Sequence, residues 1–205
     1  MTNAVIVFLK NLTLGKVKTR LAATVGDQKA LEIYGQLVAH TLKQVSQSGQ
    51  IALLYFSDDL HSDLPQCDQQ FALRLQRGSD LGERMSNAFK DVFETSARKV
   101  LIIGTDCPGL NASIIKEAFD ALDAHDIVIG PATDGGYYLL GMRNFQGFIF
   151  EDIPWSTSEV LELTLETCAR HSLTYCLLKE LSDIDDENDL DMWNSMQKDD
   201  QTGEL

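Results

Sequence analysis

A chain of 205 residues favours one domain over two, and it is long enough to remove roughly 70% of its unfolded surface from water. With 44% hydrophobic and 23% charged residues, collagen-like, coiled-coil and disordered classes are excluded. Thirty-one acidic residues against seventeen basic ones give a net charge of −14, which disfavours nucleic acid and anionic membranes as partners.

In chain order, the apolar run at residues 4–9 predicts a buried strand. Asp27 is placed to cap a helix reaching about residue 48. That helix carries Ala30, Ile33, Tyr34, Leu37, Val38, Thr41, Leu42 and Val45 on one face. Strands are expected at residues 51–57 and 71–75. A helix follows from about Leu81, striped by Met85, Ala88, Phe89, Val92 and Phe93. Residues 100–104 contain almost nothing polar, as expected in the centre of a sheet covered on both faces. Asn111 caps a helix to about residue 125, and strands follow at residues 126–130 and 137–142. Ser156 or Thr157 caps a further helix to about residue 170. A strand at residues 173–178 and a short helix near residues 188–196 complete the reading. Alternating strands and helices predict an α/β sandwich with a mixed, mostly parallel sheet, organised as a single domain over residues 1–205.

No apolar run approaches the roughly 20 residues of a membrane helix. The start lacks a basic segment and a long apolar stretch, so a cytoplasmic location is expected. Cys67, Cys107, Cys168 and Cys176 are scattered without a C-x-x-C pair. This argues against structural zinc and for free, mostly buried thiols.

Charge is unevenly spread. Residues 1–26 hold Lys10, Lys16, Lys18 and Arg20 and no acid, whereas residues 183–205 hold nine acids and one lysine. A basic island in an acidic chain suits a small anionic ligand such as a phosphate. Within Lys10-Asn11-Leu12-Thr13-Leu14-Gly15-Lys16-Val17-Lys18-Thr19-Arg20-Leu21, Gly15 permits a tight turn. Backbone N–H groups and cations at a helix start then make a phosphate cradle. Neither a Walker A motif nor G-x-G-x-x-G is present.

Four further motifs sit at expected strand ends, where such sheets bind ligands. In Arg77-Gly78-Ser79-Asp80-Leu81-Gly82-Glu83-Arg84, two glycines flank an acid at a helix start. The backbone there can approach a base or ribose, or Asp80 serves as an N-cap. Asp106, in Gly104-Thr105-Asp106-Cys107-Pro108-Gly109, ends a central strand, where a carboxylate suits Mg²⁺ or Mn²⁺; capping the turn is the other reading. Asp134-Gly135-Gly136-Tyr137-Tyr138 brings an acid to the same edge with room beside the backbone, and it also reads as a hairpin turn. In Asp183-Ile184-Asp185-Asp186-Glu187-Asn188-Asp189, a solvated helix start accounts for Asp186, Glu187 and Asp189, but not for Asp183 and Asp185 before it.

These motifs, in this order, resemble the nucleotide-diphospho-sugar transferase superfamily with its GT-A type Rossmann-like fold. Within it they are most similar to a bacterial glycosyltransferase-like family linked to arsenosugar biosynthesis, the radical-SAM/selenodomain-associated transferases. The shared patterns are G-x-V-K-T-R-L, D-L-G-E-R-M, G-T-D-C-P, D-G-G-Y-Y-L-L-G, W-S-T and D-I-D-T-x-x-D-L, spanning residues 5–190. Two positions depart: Asp186 stands where the family has Thr, and Leu12 where it has Pro. The resemblance implies that Lys10, Lys18 and Arg20, with the Gly15 turn, meet nucleotide phosphates. Gly78, Asp80, Gly82 and Arg84 would line the base or ribose. Asp106 and Asp185 would bind Mg²⁺ or Mn²⁺. Asp134, as candidate general base or hydroxyl partner, would face the acceptor with Gly135, Gly136 and Tyr137, and Trp155, Ser156 and Thr157 would close over it. Catalysis would be electrostatic, with Lys18 and Arg20 opposing the metal across the leaving diphosphate. Three readings follow: a metal-dependent glycosyltransferase using a nucleoside diphosphate sugar and a small-molecule acceptor, a nucleotidyltransferase releasing pyrophosphate, or a non-catalytic nucleotide-binding module.

Overall fold

Side chains alternate along the first strand, β1 (Thr2–Leu9). Val5, Val7 and Leu9 enter one buried cluster, and Ala4 and Ile6 enter another. A strand that buries both faces belongs inside a sheet covered on two sides. The computed structural model of the chain describes residues 2–60, 64 and 71–190. After β1 come α1 (Thr19–Val25), α2 (Asp27–Ser48), β2 (Ile51–Phe56), β3 (Ala72–Leu75), α3 (Leu81–Phe93), β4 (Ala97–Ile103) and α4 (Ala112–Ala121). They are followed by β5 (Ile127–Pro131), β6 (Tyr137–Met142), α5 (Val160–Arg170) and β7 (Tyr175–Leu177), with 3-10 turns at Gly147–Phe150 and Glu187–Asp189.

The strands form a seven-stranded sheet in the order β3-β2-β1-β4-β6-β5-β7. Only β6 is antiparallel to its neighbours, so the sheet is mixed and mostly parallel, as expected. The wholly apolar β4 run lies at its centre. On one face, Tyr34, Val38, Leu42 and Val45 of α2 pack with Ile115 and Phe119 of α4. On the other, Met85, Phe89 and Val92 of α3 pack with Ile149 and Phe150 of the Gly147–Phe150 turn and Cys168 of α5. The layers are therefore helix, sheet, helix. A third cluster joins Leu21 of α1, Ile33 and Leu37 of α2, and Ile184.

Asp80 and Asn111 start their helices as expected: their carboxylate and amide oxygens accept the N–H groups of Glu83 and Ile114. Other boundaries differ. Gly26, at φ 84°, separates α1 from α2 and is itself the N-cap, so Asp27 is the first helical residue rather than a cap. Neither Ser156 nor Thr157 caps α5. Ser156 has φ 67°, and the Thr157 hydroxyl donates to the Pro154 carbonyl at 2.8 Å, so the helix begins only at Val160. Helix α4 stops at Ala121, and β7 is three residues long. Asp126 lies just before β5, accepting from the Thr174 N–H and hydroxyl and from Arg143. Where the tail helix is expected, the described residues show the 3-10 turn Glu187–Asp189 and a helical Leu190, and residues 191–196 lie outside the described residues.

Cys107 and Cys168 are buried free thiols, Cys176 is partly exposed and free, and Cys67 lies outside the described residues. Among the described residues no helix is long and apolar enough to cross a membrane.

Candidate functional site

A crevice of about 710 Å³ opens beyond the carboxyl ends of β1, β4 and β5, where the parallel strands deliver their last residues. Asp106 follows β4 directly. Its neighbour in space comes from the far end of the sequence. After β7 the chain runs beside β5: the Leu181 N–H donates to the Pro131 carbonyl, and the Thr133 N–H to the Leu181 carbonyl, both at 3.0 Å. Three residues on, Ile184 is fully buried among Leu21, Ile33 and Leu37, and its N–H donates to the Asp106 carbonyl at 2.9 Å. One apolar anchor and one backbone bond thus place Asp183 and Asp185 against Asp106.

Lys18 joins them. Its Nζ lies 2.6 Å from Asp106 Oδ1 and 3.4 Å from Asp185 Oδ1, and its side chain is only 5% exposed. One ammonium thus brings the Asp106 and Asp185 carboxylates to a common point. Arg20 reaches Asp185 at 3.8 Å from a largely exposed position. Asp183 went unassigned a role in the sequence, although its place before the helix start had no explanation. Burial, reinforced by Asp106, pushes its carboxyl up to about 7, and Lys18 opposes the shift. Its buried Oδ1 has no hydrogen-bond partner among the described residues.

Tyr34 is a second residue that sequence reading treated only as part of the helix face. Its hydroxyl accepts from the Lys10 N–H at 2.8 Å and from the Thr105 hydroxyl at 3.2 Å, and donates to the Lys10 carbonyl. It therefore ties the first loop to the residue before Asp106. Burial and the Asp106 charge push its phenol up to about 12. Its periodic spacing identified a buried face but not the polar tip.

Lys10, Lys18, Arg20, Arg84, Asp106, Asp134, Gly136, Tyr137, Trp155, Ser156, Thr157 and Asp185 all line the crevice. Gly15, Gly78, Asp80, Gly82 and Gly135 are not among the lining residues, and each has a part in the fold around it. Gly15, at φ 74°, faces Asp27. The Gly78 carbonyl accepts from Arg84 Nε at 3.2 Å, and Asp80 is engaged as the α3 cap. A Cβ on Gly82 would collide with the indole of Trp155, and one on Gly135 with the backbone of Ser158. These glycines shape the wall of the crevice. Lys16 also lies outside the crevice.

The Asp134 segment is a β5–β6 hairpin as well as a crevice wall. Asp134 Oδ1 accepts the Gly136 N–H at 2.8 Å and leaves the other carboxylate oxygen toward solvent. Tyr137 meets Trp155 edge to face with centroids 6.5 Å apart, and burial raises its phenol. The Tyr138 hydroxyl instead donates to the Lys179 carbonyl, so that ring belongs to the scaffold.

Asp106, Asp185 and the partnerless oxygen of Asp183 offer the hard oxygen donors that Mg²⁺ or Mn²⁺ takes, so the side chains fit such an ion in kind. As they stand, no group of three or more His, Cys, Asp or Glu among the described residues is arranged as a ligand set. Lys18 occupies the space between the two outer carboxylates.

The family model described as "Uncharacterized protein conserved in bacteria (DUF2064)" matches residues 39–157. The fold is close to the crystal structure of a protein from Desulfovibrio desulfuricans G20 assigned as a nucleotide-diphospho-sugar transferase. The two share 32% identity and a TM-score of 0.84, over 91% of this chain and 84% of the other. The fold also matches the 4-diphosphocytidyl-2C-methyl-D-erythritol synthase of Anaerococcus prevotii DSM 20548, at 12% identity and TM-score 0.62 over 96% of each chain. Rv0371c of Mycobacterium tuberculosis H37Rv, crystallised with manganese, matches at 12% identity and TM-score 0.50, over 94% of this chain and 97% of the other. No curated protein matches the sequence.

Proposed function

We propose, on the premise that this chain belongs to the DUF2064 family, that it is a divalent-metal-dependent glycosyltransferase moving a sugar from a nucleoside diphosphate sugar to a small-molecule acceptor. The observation that carries this reading is the paired carboxylates of Asp106 and Asp185 at the mouth of the crevice, with cations on the opposite loop. The relative from Desulfovibrio desulfuricans supports a transferase acting on nucleotide-linked sugars, and the more distant fold matches support a nucleotide-related chemistry. The arsenosugar-linked resemblance supports a small acceptor. Because every described strand belongs to one sheet, the same reading treats the chain as one catalytic domain.

In this mechanism, Lys10 from the first loop and Arg20 from α1 bind the phosphates, and Tyr34 holds Lys10 in place. Asp106 and Asp185 would hold Mg²⁺ or Mn²⁺, which supplies positive charge to the leaving diphosphate. Asp134, with one oxygen fixed by the Gly136 N–H, orients or deprotonates an acceptor hydroxyl. Tyr137 and Trp155 form an aromatic side of the acceptor space and exclude water from it.

A nucleotidyltransferase acting on a triphosphate is the second reading, and the fold match to a synthase of a diphosphocytidyl compound favours it. It requires denser neutralisation. Lys16 lies away from the crevice, which favours the less charged diphosphate. The test is a thermal-shift panel of nucleoside diphosphate sugars and triphosphates, each with and without Mn²⁺. A ligand at a hundred times its Kd stabilises by about 2.7 kcal/mol. Diphosphate sugars with Mn²⁺ should give the largest shift. A larger shift with triphosphates supports the second reading, and no shift with either class overturns both.

A further inference from the structure

We propose that Lys18 is the resident cation of the acidic site, and that a divalent ion enters only by exchange with it, as a diphosphate takes over the released ammonium. The inference rests on the reading of this crevice as a metal- and nucleotide-dependent site, and it names what the ligand must carry: two adjacent phosphates.

Three observations carry it. First, Lys18 is built to turn inward. It has φ 47° and ψ 47°, the left-handed region that non-glycine residues rarely occupy, at the start of α1. Its neighbours Lys16 and Arg20 are exposed, whereas its own side chain is 5% exposed. A strained backbone that buries a lysine is a feature to be explained by its site. Second, the ammonium sits between Asp106 Oδ1 and Asp185 Oδ1, where a bridging ion would have to be. A divalent ion and an ammonium cannot share that space, because neither has room and they repel. Third, one ammonium is not enough charge. Asp106, Asp183 and Asp185 converge there, Asp134 adds to the field, and one buried oxygen of Asp183 has no hydrogen-bond partner among the described residues. Besides Lys18, the described cation touching these acids is Arg20, at 3.8 Å and largely exposed. The site holds its acids together while free, yet keeps an excess of negative charge that a doubly charged ion satisfies better.

The exchange has a condition. Lys18 is largely buried, so its ammonium cannot leave the carboxylates for nothing; it needs another anion within its reach. A single phosphate would hold the ion and the ammonium side by side on one small group, where they repel. A diphosphate can place one phosphate on the ion and the next on Lys18. Metal and diphosphate therefore bind together, and each binds weakly alone. Reciprocity follows, since a coupling free energy between two ligands is the same in either order.

The experiment is Mn²⁺ binding by calorimetry to the full chain and to Lys18→Met, alone, with a nucleoside monophosphate and with a nucleoside diphosphate. Without nucleotide, Lys18→Met should bind Mn²⁺ about tenfold or more tightly than wild type, because the competing charge is gone. Wild type should gain affinity with the diphosphate but not with the monophosphate, and the variant should gain little from either. Equal Mn²⁺ affinity of wild type and variant in the absence of nucleotide would overturn the proposal. If neither protein binds any nucleotide, the functional reading fails, while the comparison with Mn²⁺ alone still decides the exchange. Should Lys18→Met fail to fold, wild-type crystals soaked in Mn²⁺, with and without diphosphate, make the decision. Lys18 Nζ away from Asp106 with the ion in its place supports exchange, and an ion at the acids with Lys18 still on Asp106 refutes it.

Discussion

The two walls of the crevice are made in different ways. The acid wall is held by the main chain: Ile184 donates to the Asp106 carbonyl, Leu181 to Pro131 and Thr133 to Leu181, with Ile184 fully buried as the anchor. The wall at residues 77–84 is held by side chains at the surface. Arg77 pairs with Asp91 at 2.6 Å, Glu83 accepts from the Ser79 N–H and hydroxyl at 2.7 Å, and Arg84 donates to the Gly78 carbonyl. Those two Ser79 bonds hold the exposed Glu83 carboxyl below its usual range. Main-chain bonds around a buried residue fix position to the ångström, whereas exposed pairs contribute little and yield easily. The first wall is built as a rigid scaffold, and the second as a surface able to adjust.

The largest test of this contrast is Ile184→Ala. It empties a fully buried position and loosens the segment that carries both Asp183 and Asp185. The expected loss is about 3 kcal/mol, in the middle of the range for Ile→Ala in a core. Mn²⁺-dependent nucleotide binding should fall with it, measured at a temperature where the variant is still folded. A variant that melts lower yet binds normally would show that the anchor serves stability alone.

Next is Gly82→Ala. The added methyl group would collide with the Trp155 indole, so overpacking should cost about 1–3 kcal/mol, unless the loop bearing Trp155 moves aside. Emission separates these outcomes. The chain has two tryptophans, so the measurement is made in a Trp193→Phe background, where a shifted Trp155 spectrum reports the loop. Mn²⁺ affinity should be unchanged, because no acid is touched. Loss of metal binding in this variant would mean that the two walls are coupled and the contrast is wrong.

The sequence made the acid wall legible for a physical reason. An apolar β4 run ending in Thr105-Asp106 can only lie centrally with its acid at the rim, and Asp185 follows the last strand of the same sheet. The part played by Gly78 and Gly82 was not legible in the sequence, because a glycine is permissive for several causes at once. Close approach to a ligand and close approach to Trp155 leave the same letter. Asp80 likewise reads as ligand or cap, and the cap is what forms. Asp183 and Tyr34 were missed as functional because their importance lies in contacts from distant segments. The hydroxyl of Tyr34 meets Lys10 and Thr105, and Asp183 gains its environment from Asp106 and Lys18. The α5 start was misplaced because Thr157 has a competing partner in the Pro154 carbonyl.

The smallest effect, and the one that probes the acid wall without emptying it, is Asp183→Asn. Burial and neighbouring carboxylates raise the Asp183 carboxyl from an ordinary 3.8 to about 7 in the folded chain. Between those values the folded state holds a proton that the unfolded state has released. Stability must then fall as pH rises through that window and level off above it. Asparagine keeps the shape and does not titrate. At pH 4 and below, the two proteins should have nearly the same stability. From there the difference should grow in favour of the variant, reaching about 1–2 kcal/mol by pH 8, because Asp106 and Lys18 share the titration. Denaturant melts at pH 4, 6 and 8 make the comparison. Parallel stability curves would place Asp183 in water-like surroundings. The acid wall would then be as open as the glycine wall, and the contrast between them would disappear.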